Sequence, residues 1–139
     1  MKLIIIVLIF AFTYIGCKAQ RFSNAKADSM NIDYVDLFTT TPYDVKVDSF
    51  QKHFGKSVKH LVFTDSLTIE NTYKVLDSFF KSATKVKKQP DTRLIVSFFE
   101  GKNKKIVVMS LNLISYNDEI RVLDDRIRNY FGVLTKNNW

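Results

Sequence analysis

Two nearly unbroken apolar runs, TRLIVSFFE (Thr92–Glu100) and KIVVMSLNL (Lys105–Leu113), flank Gly101-Lys102-Asn103-Lys104. They restrict the fold more than any other feature of the chain. Both are rich in β-branched and aromatic residues and are separated by a short turn, so they predict a β-hairpin over residues 93–113. A strand that is apolar at almost every position needs cover on both faces, by helices, or by helices on one face and a partner on the other. The hairpin therefore belongs at the centre of a sheet.

Helices to cover that sheet are visible on either side of the hairpin. Between Ser66 and Ala83, Ile69, Tyr73, Leu76, Phe80 and Ala83 recur at steps of four and three, which places them on one helical face. Asp65 or Ser66 can cap this helix, and Glu70–Lys74 and Asp77–Lys81 form i,i+4 pairs on its other side. Pro90 in KVKKQPD blocks any continuation. In NDEIRVLDDRIRNYFG, Ile120, Leu123, Ile127, Tyr130 and Leu134 also fall at helical spacing. This predicts a second helix over 118–132, capped by Asn117 or Asp118 and stopped by Gly132, with Arg121–Asp125 and Asp124–Arg128 on the solvent side.

The first third of the domain is less clear. Residues 30–38 (MNIDYVDLF) fit a short helix or an edge strand. Tyr43, Val45 and Val47 alternate as in a strand, and DSFQKHFG then reads as a short helix stopped by Gly55; a single helix from Pro42 is the other reading. Ser57–Phe63 predicts a further strand. DSFQKHFG and DRIRNYFG echo one another, which two helices using the same glycine stop would explain. The expectation is one small α+β domain over residues 30–139, with a mixed or antiparallel sheet centred on the hairpin and helices 66–83 and 118–132 packed on it.

Ahead of the domain stands MKLIIIVLIFAFTYIGCKAQ. Lys2 precedes an apolar run from Leu3 to Ile15, broken only by Thr13 and Tyr14. A spanning helix needs about 20 apolar residues, so this run has the layout of an export signal instead. Gly16-Cys17 at its end resembles the signal of bacterial lipoproteins, although Tyr14 and Ile15 depart from the residues usual in that family. The resemblance implies cleavage before Cys17 and a diacylglycerol thioether on its sulfur. Residues 1–16 would then be the signal and 17–29 a lipidated N-terminus and tether, at the bacterial envelope on its periplasmic or outer-membrane side. Cleavage after Ala19, or an uncleaved helix with Cys17 as a bystander, are the competing readings. The resemblance reaches only to Cys17 and implies nothing about the domain.

Composition narrows the function. Twelve Phe and 46% hydrophobic residues supply a core, and a single cysteine leaves the domain to be held by packing alone. The formal net charge is +7, from 21 Lys+Arg against 14 Asp+Glu, which favours acidic partners. An exported location argues against nucleic acid. The basic residues concentrate at Lys81, Lys85, Lys87, Lys88 and Arg93 on one side of the first hairpin strand and Lys102, Lys104 and Lys105 on the other. They could hold an acidic protein or anionic lipid headgroups, or simply keep loops soluble and guard strand ends.

Catalytic signatures are missing: there is no G-x-S-x-G, Walker loop or dinucleotide-binding glycine pattern, and His53 and His60 lack a zinc spacing. Asp118-Glu119 and Asp124-Asp125 read as a solvated, salt-bridged face. Neither a cofactor nor a metal is expected. The sequence thus points to a membrane-anchored binding or accessory protein, such as an assembly subunit, inhibitor or immunity factor. The alternative is an enzyme acting on envelope substrates through His53, His60 or the acidic pairs.

Overall fold

A computed structural model describes residues 26–36 and 39–137; Cys17 and the predicted signal lie outside the described residues. Among the described residues seven strands form one sheet in the order β2-β1-β4-β5-β6-β7-β3, with every pairing antiparallel. They are β1 (Ser29–Tyr34), β2 (Lys59–Phe63), β3 (Lys85–Val86), β4 (Leu94–Glu100), β5 (Asn103–Met109), β6 (Leu113–Tyr116) and β7 (Glu119–Val122). Three α-helices accompany them: α1 (Phe50–Phe54), α2 (Ser66–Ser82) and α3 (Asp125–Thr135). The fold is α+β, and the predicted hairpin is β4–β5 at the middle of the sheet, but its second strand stops at Met109; Ser110 N–H donates to Leu113 O in a turn, and Leu113 opens β6. The β4–β5 turn is tighter than expected: Glu100 pairs with Asn103, leaving Gly101-Lys102, and Gly101 takes φ +57° as a two-residue hairpin turn requires.

The ambiguous residues 30–38 contain β1, which is an interior strand between β2 and β4 rather than an edge. Chain pairing starts before residue 30, since Asp28 N–H donates to Phe99 O at 2.7 Å and its carboxylate accepts from Gly101 N–H at 2.8 Å. The alternation at Tyr43–Val47 does not produce a strand. Instead Val45 N–H donates to Asp91 Oδ1 at 2.7 Å and Val45 O accepts from Thr92 N–H at 2.8 Å, pinning an irregular segment by one residue. Helix α1 does form and ends at Gly55, whose φ is +51°.

Helix α2 forms with Ile69, Tyr73 and Leu76 buried as expected, while Phe79 rather than Phe80 is the fully buried ring, and Asp65 caps the helix by accepting from Thr68 N–H at 2.7 Å. The expected helix over 118–132 is corrected at both ends. Asn117 and Asp118 take φ of +48° and +61°, a pair of positive values that builds a two-residue hairpin between β6 and β7. Asn and Asp tolerate that conformation better than other residues with a Cβ. Ile120 therefore sits in a strand, and its distance of three from Leu123 imitated a helix. Asp124 is the true cap, accepting from Ile127 N–H at 2.9 Å. Gly132 does not stop α3. The stop is Lys136, left-handed at φ +53°, with Asn137 N–H donating to Gly132 O at 3.1 Å.

One face of the sheet is covered by α2 and α3. Met30, Ile32, Leu94, Val96, Phe98, Val107, Met109 and Ile114 meet Leu76, Phe79, Ile127 and Phe131 there, all with no exposed surface. The Tyr73 and Phe98 rings stack at 4.2 Å. Thr72 Oγ1 lies 2.7 Å from Tyr130 Oη, joining the two helices, and burial raises the Tyr130 hydroxyl above its ordinary pKa. On the opposite face a smaller cluster of Val35, Val45, Phe50, Phe54 and Val58 covers Ile95.

Candidate functional site

The basic residues singled out in the sequence do not assemble into one surface, and several are already occupied. Lys81 pairs with Asp77 one turn earlier on α2. Lys85 Nζ lies 3.1 Å from Glu119, which Arg121 also holds at 2.7 Å. These two bonds keep the Glu119 carboxyl below the ordinary carboxylate range. Lys105 reaches Glu100 at 3.0 Å and lies over the Tyr73 ring, on the helix-covered face.

Arg93 is a correction: it is not a surface cation, because only 4% of it is exposed. Its Nη2 donates to Asp91 Oδ2 and, at 2.8 Å, to Thr41 Oγ1, while its guanidinium covers the Phe54 ring at 5.4 Å. Nε and Nη1 have no protein acceptor. Arg93 thus fastens the irregular segment to the sheet. That leaves Lys87, Lys88, Lys102 and Lys104 as cations without an ion pair among the described residues. Lys102 and Lys104 stand at the β4–β5 tip, and Lys104 Nζ lies 5.5 Å from the centre of the Phe99 ring.

The histidines are separated. His53, at the end of α1, has its Nδ1 3.1 Å from the Tyr43 hydroxyl. His60, on β2, has its Nδ1 2.7 Å from Asp33 Oδ1 across the β1–β2 pairing. The spacing of residues along the chain could not reveal this pair, because strand register brings Asp33 to His60 over 27 positions. The alternation of Met30, Ile32 and Tyr34 with Asp33 was the available signal. The acidic pairs part company: Glu119 binds two cations, Asp124 caps α3, Asp118 forms a turn and Asp125 sits 3.9 Å from Arg128. No group of three or more His, Cys, Asp or Glu side chains among the described residues is placed to hold a metal.

What sequence reasoning left open is which part of the second sheet face the chain itself covers, and half of it is bare. Ile95 and Val108 on that face are buried, but Ile106, two residues from Val108 on β5, is 36% exposed, and Val62 on β2 is 67% exposed. By strand alternation Ile106, Phe99, Lys104, Asn31, Val62, Asp33 and His60 share this flat surface. An apolar centre bordered by cations and hydrogen-bonding groups is suited to docking a polypeptide. Comparisons with protein-family models, curated proteins and solved structures gave no match, so no relative lends this surface a role.

Proposed function

We propose that the chain is a membrane-anchored envelope lipoprotein whose domain binds an acidic partner protein and does no chemistry of its own. The observation that carries this reading is the flat surface around Phe99 and Ile106, edged by Lys102 and Lys104 at the hairpin tip. The anchor is argued from Gly16-Cys17 at the end of the apolar run. Incorporation of a fatty-acid analogue into the wild type and its loss in Cys17→Ser is the expected outcome; an unlabelled wild type overturns the anchor. For the domain, tagged chain is recovered from membranes and its companions compared with those of Ile106→Glu and of Lys102→Glu/Lys104→Glu. An acidic protein should accompany the wild type and be lost from both variants. Equal recovery by all three, or binding only to vesicles of anionic phospholipid, overturns the reading.

The enzymatic alternative has one observation in its favour, the His60–Asp33 pair, since a carboxylate can orient an imidazole for base catalysis. The His60 side chain is 54% exposed on a sheet surface. Its polar partner is Asp33, and no hydroxyl among the described residues is hydrogen-bonded to it.

A further inference from the structure

The two edges of the sheet are built differently. At one edge, β3 is two residues long, Lys85 is paired with Glu119, and Lys87 and Lys88 follow. Shortness and lysines are the usual means of keeping an edge from pairing. The other edge, β2, is five residues long and contains no proline. Its two polar side chains turn toward β1: Lys59 Nζ lies 3.1 Å from Asp36 and over the Tyr34 ring, and His60 is bound to Asp33. Neither guards the edge.

The backbone groups on β2 that no described residue pairs can be identified. Val35 N–H donates to Arg93 O at 3.0 Å, continuing the register in which Asp33 opposes Ile95. In an antiparallel sheet the N–H and C=O of one residue point to the same side, and successive residues alternate. Asn31 and Asp33 therefore bond to β4, and Met30, Ile32 and Tyr34 bond to β2. Opposite those three stand Phe63, Leu61 and Lys59. The N–H and C=O of His60 and Val62 are left pointing away from the sheet.

We propose that this edge pairs with β2 of a second copy of the chain, antiparallel about a two-fold axis through Leu61. This is the register that pairs all five residues of the strand. His60 then opposes the partner's Val62, and the reverse, so the four outward groups of each copy are satisfied. Leu61 opposes its own equivalent and Lys59 opposes Phe63, which leaves no like charges face to face. Val62, 67% exposed in the single chain, gains the partner's His60 as a cross-strand neighbour on its open flank. The two seven-stranded sheets join into one. This pairing uses the backbone groups of the β2 edge, whose His60 and Val62 side chains border the surface around Phe99 and Ile106.

The test uses the full chain in detergent micelles. Wild type should sediment at twice the mass of its own monomer as concentration rises. The amide hydrogens of His60 and Val62 should slow in exchange over the same range. Non-hydrogen-bonded cross-strand positions lie at about 4.5 Å between Cα atoms, close enough for a disulfide, so Leu61→Cys with Cys17→Ser should cross-link to itself on oxidation. Adding Val62→Pro should abolish the cross-link, because that N–H bonds only the second copy; Val62→Thr, which keeps the N–H, should not. A monomer at every concentration overturns the proposal. So does a dimer in which the His60 and Val62 amides exchange as fast as in the monomer, or a cross-link that survives Val62→Pro. Protection of those amides only when another protein is present overturns the choice of a second copy.

Discussion

The two faces of this sheet are made from alternate residues of the same strands, yet one is sealed and the other half bare. Along β4 and β5, Leu94, Val96, Phe98, Val107 and Met109 have no exposed surface, while Ile106 between them is 36% exposed. The difference follows from the length of the covering elements. At 1.5 Å per residue α2 is about 25 Å long, enough to span strands of roughly 23 Å, whereas α1 reaches only about 8 Å. The short helix and its flanking turns seal the Ile95 end and stop. Hydrophobicity alone does not distinguish the faces; the neighbouring elements do.

The largest effect is expected on the sealed face. Phe98→Ala removes a fully buried ring stacked on Tyr73 and should cost about 4 kcal/mol in chemical denaturation. A loss below about 1 kcal/mol would mean that this face is not the main core. On the half-covered face the cover is held by charge. Arg93→Met leaves Asp91 without its guanidinium and should cost about 3 kcal/mol. Adding Asp91→Asn should restore most of that loss, since the amide oxygen still accepts from Val45 N–H. If the double variant is no better than the single one, the ion pair is not what fastens the segment.

These residues also mark what was legible in the sequence. The hairpin and α2 were, the first from two long apolar runs around a short turn and the second from one helical period kept over many residues. The end of the chain was misread where two local rules agreed by accident: Ile120 and Leu123 kept a helical spacing across a strand boundary, while Asn117-Asp118 carried the turn. β3 was invisible, since two residues have no period. The surface around Ile106 was read as apolar strand in need of cover by the chain or by a partner; the chain's own elements cover Ile95 and leave Ile106 partly exposed. Which residue is covered depends on where α1 ends, a tertiary fact. Arg93 looked like a surface cation for the same reason.

Toward β3 the sealed face carries Arg121, Glu119 and Lys85 beside the Phe80–Tyr116 ring contact. Glu119 has a depressed folded pKa. Its contribution is therefore complete above the unfolded value of about 4.3 and fades as pH falls through the folded one. Wild type should exceed Glu119→Gln in stability at neutral pH, and the two should converge in strong acid. With 37% of the side chain exposed, solvent screening holds the gap below about 1 kcal/mol. A gap that widens on acidification would contradict the assignment.

The smallest effect gives the sharpest comparison, because it uses adjacent residues on one strand. Val107 points into the helix-covered core and Ile106 onto the bare surface. Val107→Thr buries a hydroxyl and should cost about 2 kcal/mol. Ile106→Thr exchanges a partly exposed side chain for another β-branched residue and should stay within about 0.5 kcal/mol of wild type. Both can be measured from urea midpoints with the slope held constant. If Ile106→Thr costs as much as Val107→Thr, Ile106 is covered in solution by something that the described residues do not include, and the two faces are equally sealed. If it is neutral, the chain carries an apolar position there that its own stability does not require, as a surface kept for a partner would.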